Sequence, residues 1–272
     1  MPAWSLCPLA VLDVDPPHLI ALAAKAGYAA VGIRMVPASP GGIEYPLRAG
    51  SAEIRETLHR MNDLGVRVFD LEFLSLSPEF DARQFRWLAE AGAALGARRI
   101  NCSGDDPDPL RAADHFAALC DLAAEYRLGV DIEFMRWRHT STLDHAVELV
   151  RRAGKANGGI LLDALHLIRA GGSPTELAKV PREFLVSAQL CDAPAASPPD
   201  SRLVAESRTN RLVPGEGELP LRQIVEALPN DIALALEVPM SAYAPDAPPI
   251  DRATRAIVAA EKLLASWRAV GN

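Results

Sequence analysis

A chain of 272 residues, 49% of them hydrophobic, can bury a large core, either as two small domains or as one α/β barrel of about 250 residues. Its net charge of -7 and pI near 5.4 argue against a nucleic-acid or anionic-membrane footprint, which needs concentrated Lys and Arg, and favour a small-molecule partner. Cys7, Cys102, Cys120 and Cys191 are scattered without a CxxC pair. The N-terminus lacks a basic signal-peptide region, and no apolar run approaches the roughly 20 residues of a membrane span, so reduced thiols in a cytoplasmic protein are expected.

Taken in chain order, apolar runs of strand character recur near 5–12, 29–35, 66–73, 98–103, 129–134, 159–163, 185–190 and 232–237. Between them lie stretches with helical spacing, such as DPPHLIALAAKAGY, SAEIRETLHRMNDLG, STLDHAVELVRRAG and DRATRAIVAAEKLLASW. Eight strand–helix alternations predict a single-domain (β/α)8 TIM barrel over residues 1–272. The rival is an open doubly wound sheet, which is weakened because no GxGxxG or GxxxxGK[ST] follows the first strand. Two long connections, MVPASPGGIEYPLRAG after the second strand and CDAPAASPPDSRLVAESRTNRLVPGEGE after the seventh, are expected to wall the C-terminal face.

Four of the apolar runs end in an oxygen-bearing side chain: Glu133, Asp163, Gln189 and Glu237. Any one of them could simply cap a helix or pair with an Arg. Placed together on strands five to eight they form a hard-oxygen set suited to Mn2+ or Mg2+, with Co2+ or Zn2+ as alternatives. Three carboxylates at one mouth repel one another unless a cation or protons compensate. His166, three residues after Asp163, is expected to face the same mouth and hold a substrate oxygen, and Arg211, beside a Pro-Gly-Glu-Gly turn, to clamp the substrate. Arg34, Glu72 and Asn101, at the ends of strands two to four, complete the predicted polar ring, and His139 in the loop after strand five is a further lining candidate. No GxSxG, HExxH or EF-hand pattern is present.

The pieces IEFM, LLDALHLIRAGGSP, SAQLCDAP, RLVPGEGELPL and ALEVP resemble the sugar phosphate isomerase/epimerase group of xylose isomerase-like TIM barrels, which also holds endonuclease IV, inosose dehydratases and 3-dehydroshikimate dehydratases. By that resemblance Glu133, Asp163, Gln189 and Glu237 are the metal ligands, His166 is the substrate-contacting His of the DxxH element, and Arg211 is the Arg that precedes the PGxG turn. Sugar epimerases commonly carry His where this chain has Gln189, which is similar to some dehydratases. The missing His ligands and basic surface set endonuclease IV aside.

The expected activity is therefore a metal-dependent isomerisation or epimerisation of a sugar, a sugar phosphate or a polyol ketone. Glu133 or Glu237 would remove an α-proton through a metal-stabilised enediolate, and His166, Arg211, Asn101 and Glu72 would bind substrate. The alternatives are a dehydratase of the 3-dehydroshikimate or inosose type and a non-catalytic binding barrel, with homo-oligomers compatible with any of these.

Overall fold

The structure, a computed structural model, describes residues 3–270. Eight parallel strands, β1 (Ser5–Leu6), β2 (Ala30–Arg34), β3 (Arg67–Leu76), β4 (Arg99–Gly104), β5 (Gly129–Glu133), β6 (Gly158–Asp163), β7 (Leu185–Leu190) and β8 (Ala233–Leu236), pair in sequence order. Closure comes from β1 against β8, with Ser5 opposite Ala235 and Leu6 opposite Leu236. β5 and β6 are buried at every position, as expected of parallel strands covered on both faces, and this is why their sequences read as unbroken apolar runs.

The outer layer contains α1 (Pro16–Ala26), α2 (Ala52–Leu64), α3 (Arg86–Leu95), α4 (Pro109–Glu125), α5 (Leu143–Ala153), α6 (Ala164–Arg169), α7 (Pro174–Leu177), α8 (Asp200–Thr209), α9 (Leu221–Ala227) and α10 (Pro249–Val270). Helix starts follow local chemistry: Asp15, Ser51, Thr142 and Asp163 each accept a backbone N–H three residues on. Leu, Ile and Ala side chains between helices and sheet form one continuous core.

The first predicted strand is corrected. Pro8 fixes a 3-10 turn over Pro8–Val11, so β1 is only two residues long and the apolar run 8–11 packs as a helix. The connection after β7 holds a helix, α8, which a polar sequence with little apolar striping concealed.

Side chains two apart on one strand face the same side, so each mouth residue has a partner one layer deeper. Below Glu133 lies Asp131, which accepts from Arg99 Nε at 2.6 Å and Ser187 Oγ at 2.7 Å. Below Glu72 lies Asp70, which accepts from Asn101 Nδ2 at 2.9 Å. Below Arg34 lies Gly32, where a Cβ would stand 2.2 Å from Asp70 Oδ1; glycine there makes room for the buried acid.

Candidate active site

The C-terminal strand ends form a narrow, solvent-open cavity of about 50 Å3 whose lining includes Arg34, Glu72, Asn101, Glu133, His166, Gln189, Arg211 and Glu237. Glu133 is the last residue of β5, Gln189 the penultimate residue of β7, and Glu237 follows β8, donating its backbone N–H to Leu190 O. Asp163 ends β6 and is fully buried, covered by Arg211, whose Nη1 donates to Asp163 Oδ2 at 2.5 Å and whose Nη2 lies 2.6 Å from Glu237 Oε2.

Arg211 is held in this pose from several sides. Its Nε donates to Ser207 O at 2.7 Å and its Nη2 to Ser207 Oγ at 3.0 Å. Beyond it, Asp192 gathers the Pro-Gly-Glu-Gly turn by accepting from the N–H groups of Gly215 and Leu219 at 2.9 and 3.0 Å. Gly215 has φ 90°, a left-handed conformation that glycine adopts without strain, and a Cβ at Gly217 would stand 2.4 Å from Asp192 Oδ1. The helix above the site, α8, is fastened by the buried Arg169–Glu206 pair, with contacts of 2.9 and 2.8 Å.

Burial and crowding set the charges. Burial, then Glu237 and Asp163, push Glu133 well above the ordinary carboxylate range. Glu237 is pushed up to about 7 by burial, against the pull of Arg211 and with the push of Asp163 and Glu72. Burial also opposes ionisation of Asp163, yet Arg211, His166 and the His166 backbone N–H overcome it and hold its carboxyl below the ordinary value. Burial, helped by Arg211, drives His166 down to about 4 despite Asp163. His166 Nε2, 3.7 Å from Glu133 Oε1, is thus a neutral imidazole facing a carboxyl that favours its proton.

Among the described residues, Glu72, Glu133, Asp163 and Glu237 are in ion-pair contact with two guanidiniums, Arg34 on Glu72 at 2.8 Å and Arg211 on Asp163 and Glu237. Protons or a divalent cation can make up the difference. The donor set fits a cation: Glu133 Oε1 and Gln189 Oε1 are buried without a hydrogen-bond partner, where an orphaned oxygen is costly. One ligand atom from each of Glu133, Asp163 and His166 lies within 4.8 Å of the others, and the same holds for Cys7, Glu72 and Glu237.

Arg34, Glu72, Asn101, Glu133, His166, Gln189, Arg211 and Glu237 line this mouth and Asp163 lies buried under Arg211, but Glu72 and Asn101 sit differently from expectation and His139 lies elsewhere. β3 continues to Leu76 and β4 to Gly104, so Glu72 and Asn101 are mid-strand residues, Glu72 tied to Arg34 and Asn101 to Asp70. The cause is that strand length follows pairing, and β3 keeps pairing with β4 past a register break between Leu71 and Leu74. His139 is exposed and lines a separate groove beside Pro107 and Leu149, away from the mouth.

Three lining residues, Arg138, Arg208 and Trp137, escaped the sequence reading, as did Cys7, buried against Glu72, Gln189 and Glu237. Trp137 meets the His166 ring edge-on at 5.1 Å between centroids. Cys7 follows β1 as Glu237 follows β8, so the strand-end rule would have found it had thiols been counted with the oxygens. All four cysteines are free and buried.

The sequence profile of the xylose isomerase-like TIM barrel family matches residues 20–260. The chain belongs to that family. Among curated relatives of this family member, a 3-dehydroshikimate dehydratase of Pseudomonas aeruginosa is 32% identical over 152 residues, covering 55% of this chain and 24% of the relative. The chain thus spans about a quarter of that relative's length. Among solved structures, an IolI protein with a bound zinc atom superposes with a TM-score of 0.80 at 15% identity, covering 97% of this chain and 98% of the other. A D-psicose 3-epimerase gives 0.72 at 15% identity, with 96% and 99% covered. These two likenesses establish a shared barrel. No helix among the described residues is long and apolar enough to cross a membrane.

Proposed function

We propose that this barrel is a divalent-metal-dependent lyase that dehydrates a small cyclic hydroxy-ketone bearing a carboxylate, of the 3-dehydroshikimate type. The observation that carries the reading is the cationic rim. Arg208 lines the cavity with Arg34 and Arg138, its guanidinium is pulled down by burial and by those two neighbours, and among the described residues it has neither an ion pair nor a side-chain hydrogen bond. Arg34 and Arg138 are paired with Glu72 and Asp105, which leaves Arg208 as the rim guanidinium open to an anion, and its planar donors match a carboxylate or a phosphate. A neutral sugar offers no such group, whereas a sugar phosphate does. The similarity to a 3-dehydroshikimate dehydratase supports the same choice.

Glu133, Asp163, Gln189 and Glu237 are the residues that would hold the ion. An ion there would polarise the substrate carbonyl and offset charge developing on its oxygen. The chain's own residues manage the protons. Glu133, with His166 Nε2 beside it, and Glu237, near 7, stand three strands apart around the ring, one to take the α-proton and the other to deliver a proton to the departing β-hydroxyl. Arg211 fixes the Glu237 carboxylate, Trp137 orients His166, and Arg208 binds the carboxylate end.

The two glutamates also support a second reading, isomerisation or epimerisation, in which the proton returns to carbon and no hydroxyl leaves. Incubation of the protein with 3-dehydroshikimate and each of Mn2+, Mg2+, Co2+ and Zn2+ separates the two. Ultraviolet absorbance of a catechol acid is expected. Metal-dependent deuterium uptake into ketoses without that absorbance would move the assignment to the isomerase class, and neither signal with any metal would leave a non-catalytic barrel.

A further inference from the structure

Cys7 lies buried behind the cavity wall, against the lining residues Glu72, Gln189 and Glu237, and has no place in the chemistry above. Its backbone N–H donates to Leu236 O at 3.1 Å, Pro8 follows it directly, and the side chain is 2% exposed, so its sulfur has little freedom. We propose that the Cys7 thiol is a positioning residue that turns Gln189 and Glu237 toward a bound cation, a role that rests on those two side chains being cation ligands.

The argument is one of hydrogen-bond direction. A primary amide offers donors at one end and an acceptor at the other, and only the acceptor can face a cation. Gln189 Nε2 donates to Cys7 Sγ at 3.6 Å, which leaves Gln189 Oε1 buried, without a partner and free for a ligand. With the amide reversed, two N–H groups would point at the positive charge. The thiol has a single proton, and the distances decide where it goes: Glu237 Oε1 is 2.9 Å away and Glu72 Oε1 3.4 Å. Glu72 is already met by Arg34 at 2.8 Å, whereas Glu237 has only Arg211, on its other oxygen. One sulfur therefore orients two neighbouring side chains, as donor to one and acceptor to the other. Outer-layer partners of this kind commonly change metal affinity by about 10–100-fold when removed.

The test is Mn2+ titration of the full-length, metal-stripped chain, read by the free-ion electron paramagnetic resonance signal, for wild type, Cys7→Ala and Cys7→Ser. Cys7→Ala should lose about 10–100-fold in Mn2+ affinity. Cys7→Ser, whose hydroxyl both donates and accepts, should stay within about threefold of wild type. Should Cys7→Ala fail to fold, Cys7→Val, which fills the space with neither hydrogen-bonding role, takes its place. Unchanged affinity in the apolar variant would overturn the proposal, as would equal losses in the apolar and Ser variants. Wild type that binds Mn2+ yet does not dehydrate 3-dehydroshikimate would sink the lyase reading, while the Cys7 comparison would still be decided by its own titration. Failure of wild type to bind any divalent ion would overturn this inference outright.

Discussion

In the metal-stripped protein, Glu237→Gln should stabilise the fold more as pH rises. Glu237 has an ordinary value of 4.5 and is pushed up to about 7 in the fold by burial, Asp163 and Glu72, with Arg211 and the Cys7 thiol opposing. A carboxyl raised on folding contributes stability while protonated, and that contribution is present below 4.5 and lost as pH climbs through about 7. At about 1.4 kcal/mol per pH unit, the loss amounts to roughly 3 kcal/mol, of which about 2–3 kcal/mol falls between pH 5 and 8.

The wild-type curve alone conceals this. His166, pushed down to about 4, gains stability as pH rises toward its unfolded value, which is the opposite sign over much of the same window. The difference between wild type and Glu237→Gln removes that background. Thermal or urea unfolding of both, in chelator, should show the variant gaining about 2–3 kcal/mol on wild type from pH 5 to 8, or roughly 5–10 °C in Tm. Saturating Mn2+ should reverse the order at pH 8, because the ion favours the ionised carboxylate that the variant lacks. Parallel curves for the two proteins in chelator would refute the reasoning.

Asp163→Ala should weaken Mn2+ binding by about 100-fold and, by removing one of the two carboxylates on the buried Arg211, cost about 1–3 kcal/mol in urea unfolding; unchanged Mn2+ affinity would remove Asp163 from the ligand set. Arg208→Ala should raise KM for a carboxylate substrate by about 10–100-fold with kcat nearly unchanged, the pattern of lost uniform binding, and steady-state kinetics would read it. At Gly104 a Cβ would stand 1.9 Å from Thr140 Oγ1, so Gly104→Ala should destabilise by about 1–3 kcal/mol in thermal unfolding, and Thr140→Ser should leave that penalty in place because the clashing oxygen remains.

The parts of this molecule that were legible before its structure are those written in local periodicity. VDIE and ILLD announce β5 and β6 because both faces are buried, and Glu133 and Asp163 close those runs where the apolar pattern breaks. The same rule misread CPLAVLD, where Pro8 diverts an apolar segment into a 3-10 turn. It also stopped β3 and β4 too early, since Glu72 and Asn101 look like strand ends while pairing carries the strands onward. Cys7 and Arg208 were illegible for another reason. Cys7 matters for its contacts across the ring, with residues 182 and 230 positions away, and Arg208 for its place on the cavity lining without an acidic partner, and no pattern along the chain encodes who meets whom at a closed mouth.

Arg211, bridging Asp163 and Glu237, acts as a built-in placeholder. Two buried acids that would otherwise drive each other apart are tethered by a positive group belonging to the polypeptide itself, so closure of the ring need not await an ion from outside. A cation arriving between these two carboxylates would meet a guanidinium already in contact with both. Treatment with chelator should therefore leave an intact barrel that takes up Mn2+ again when the ion is returned.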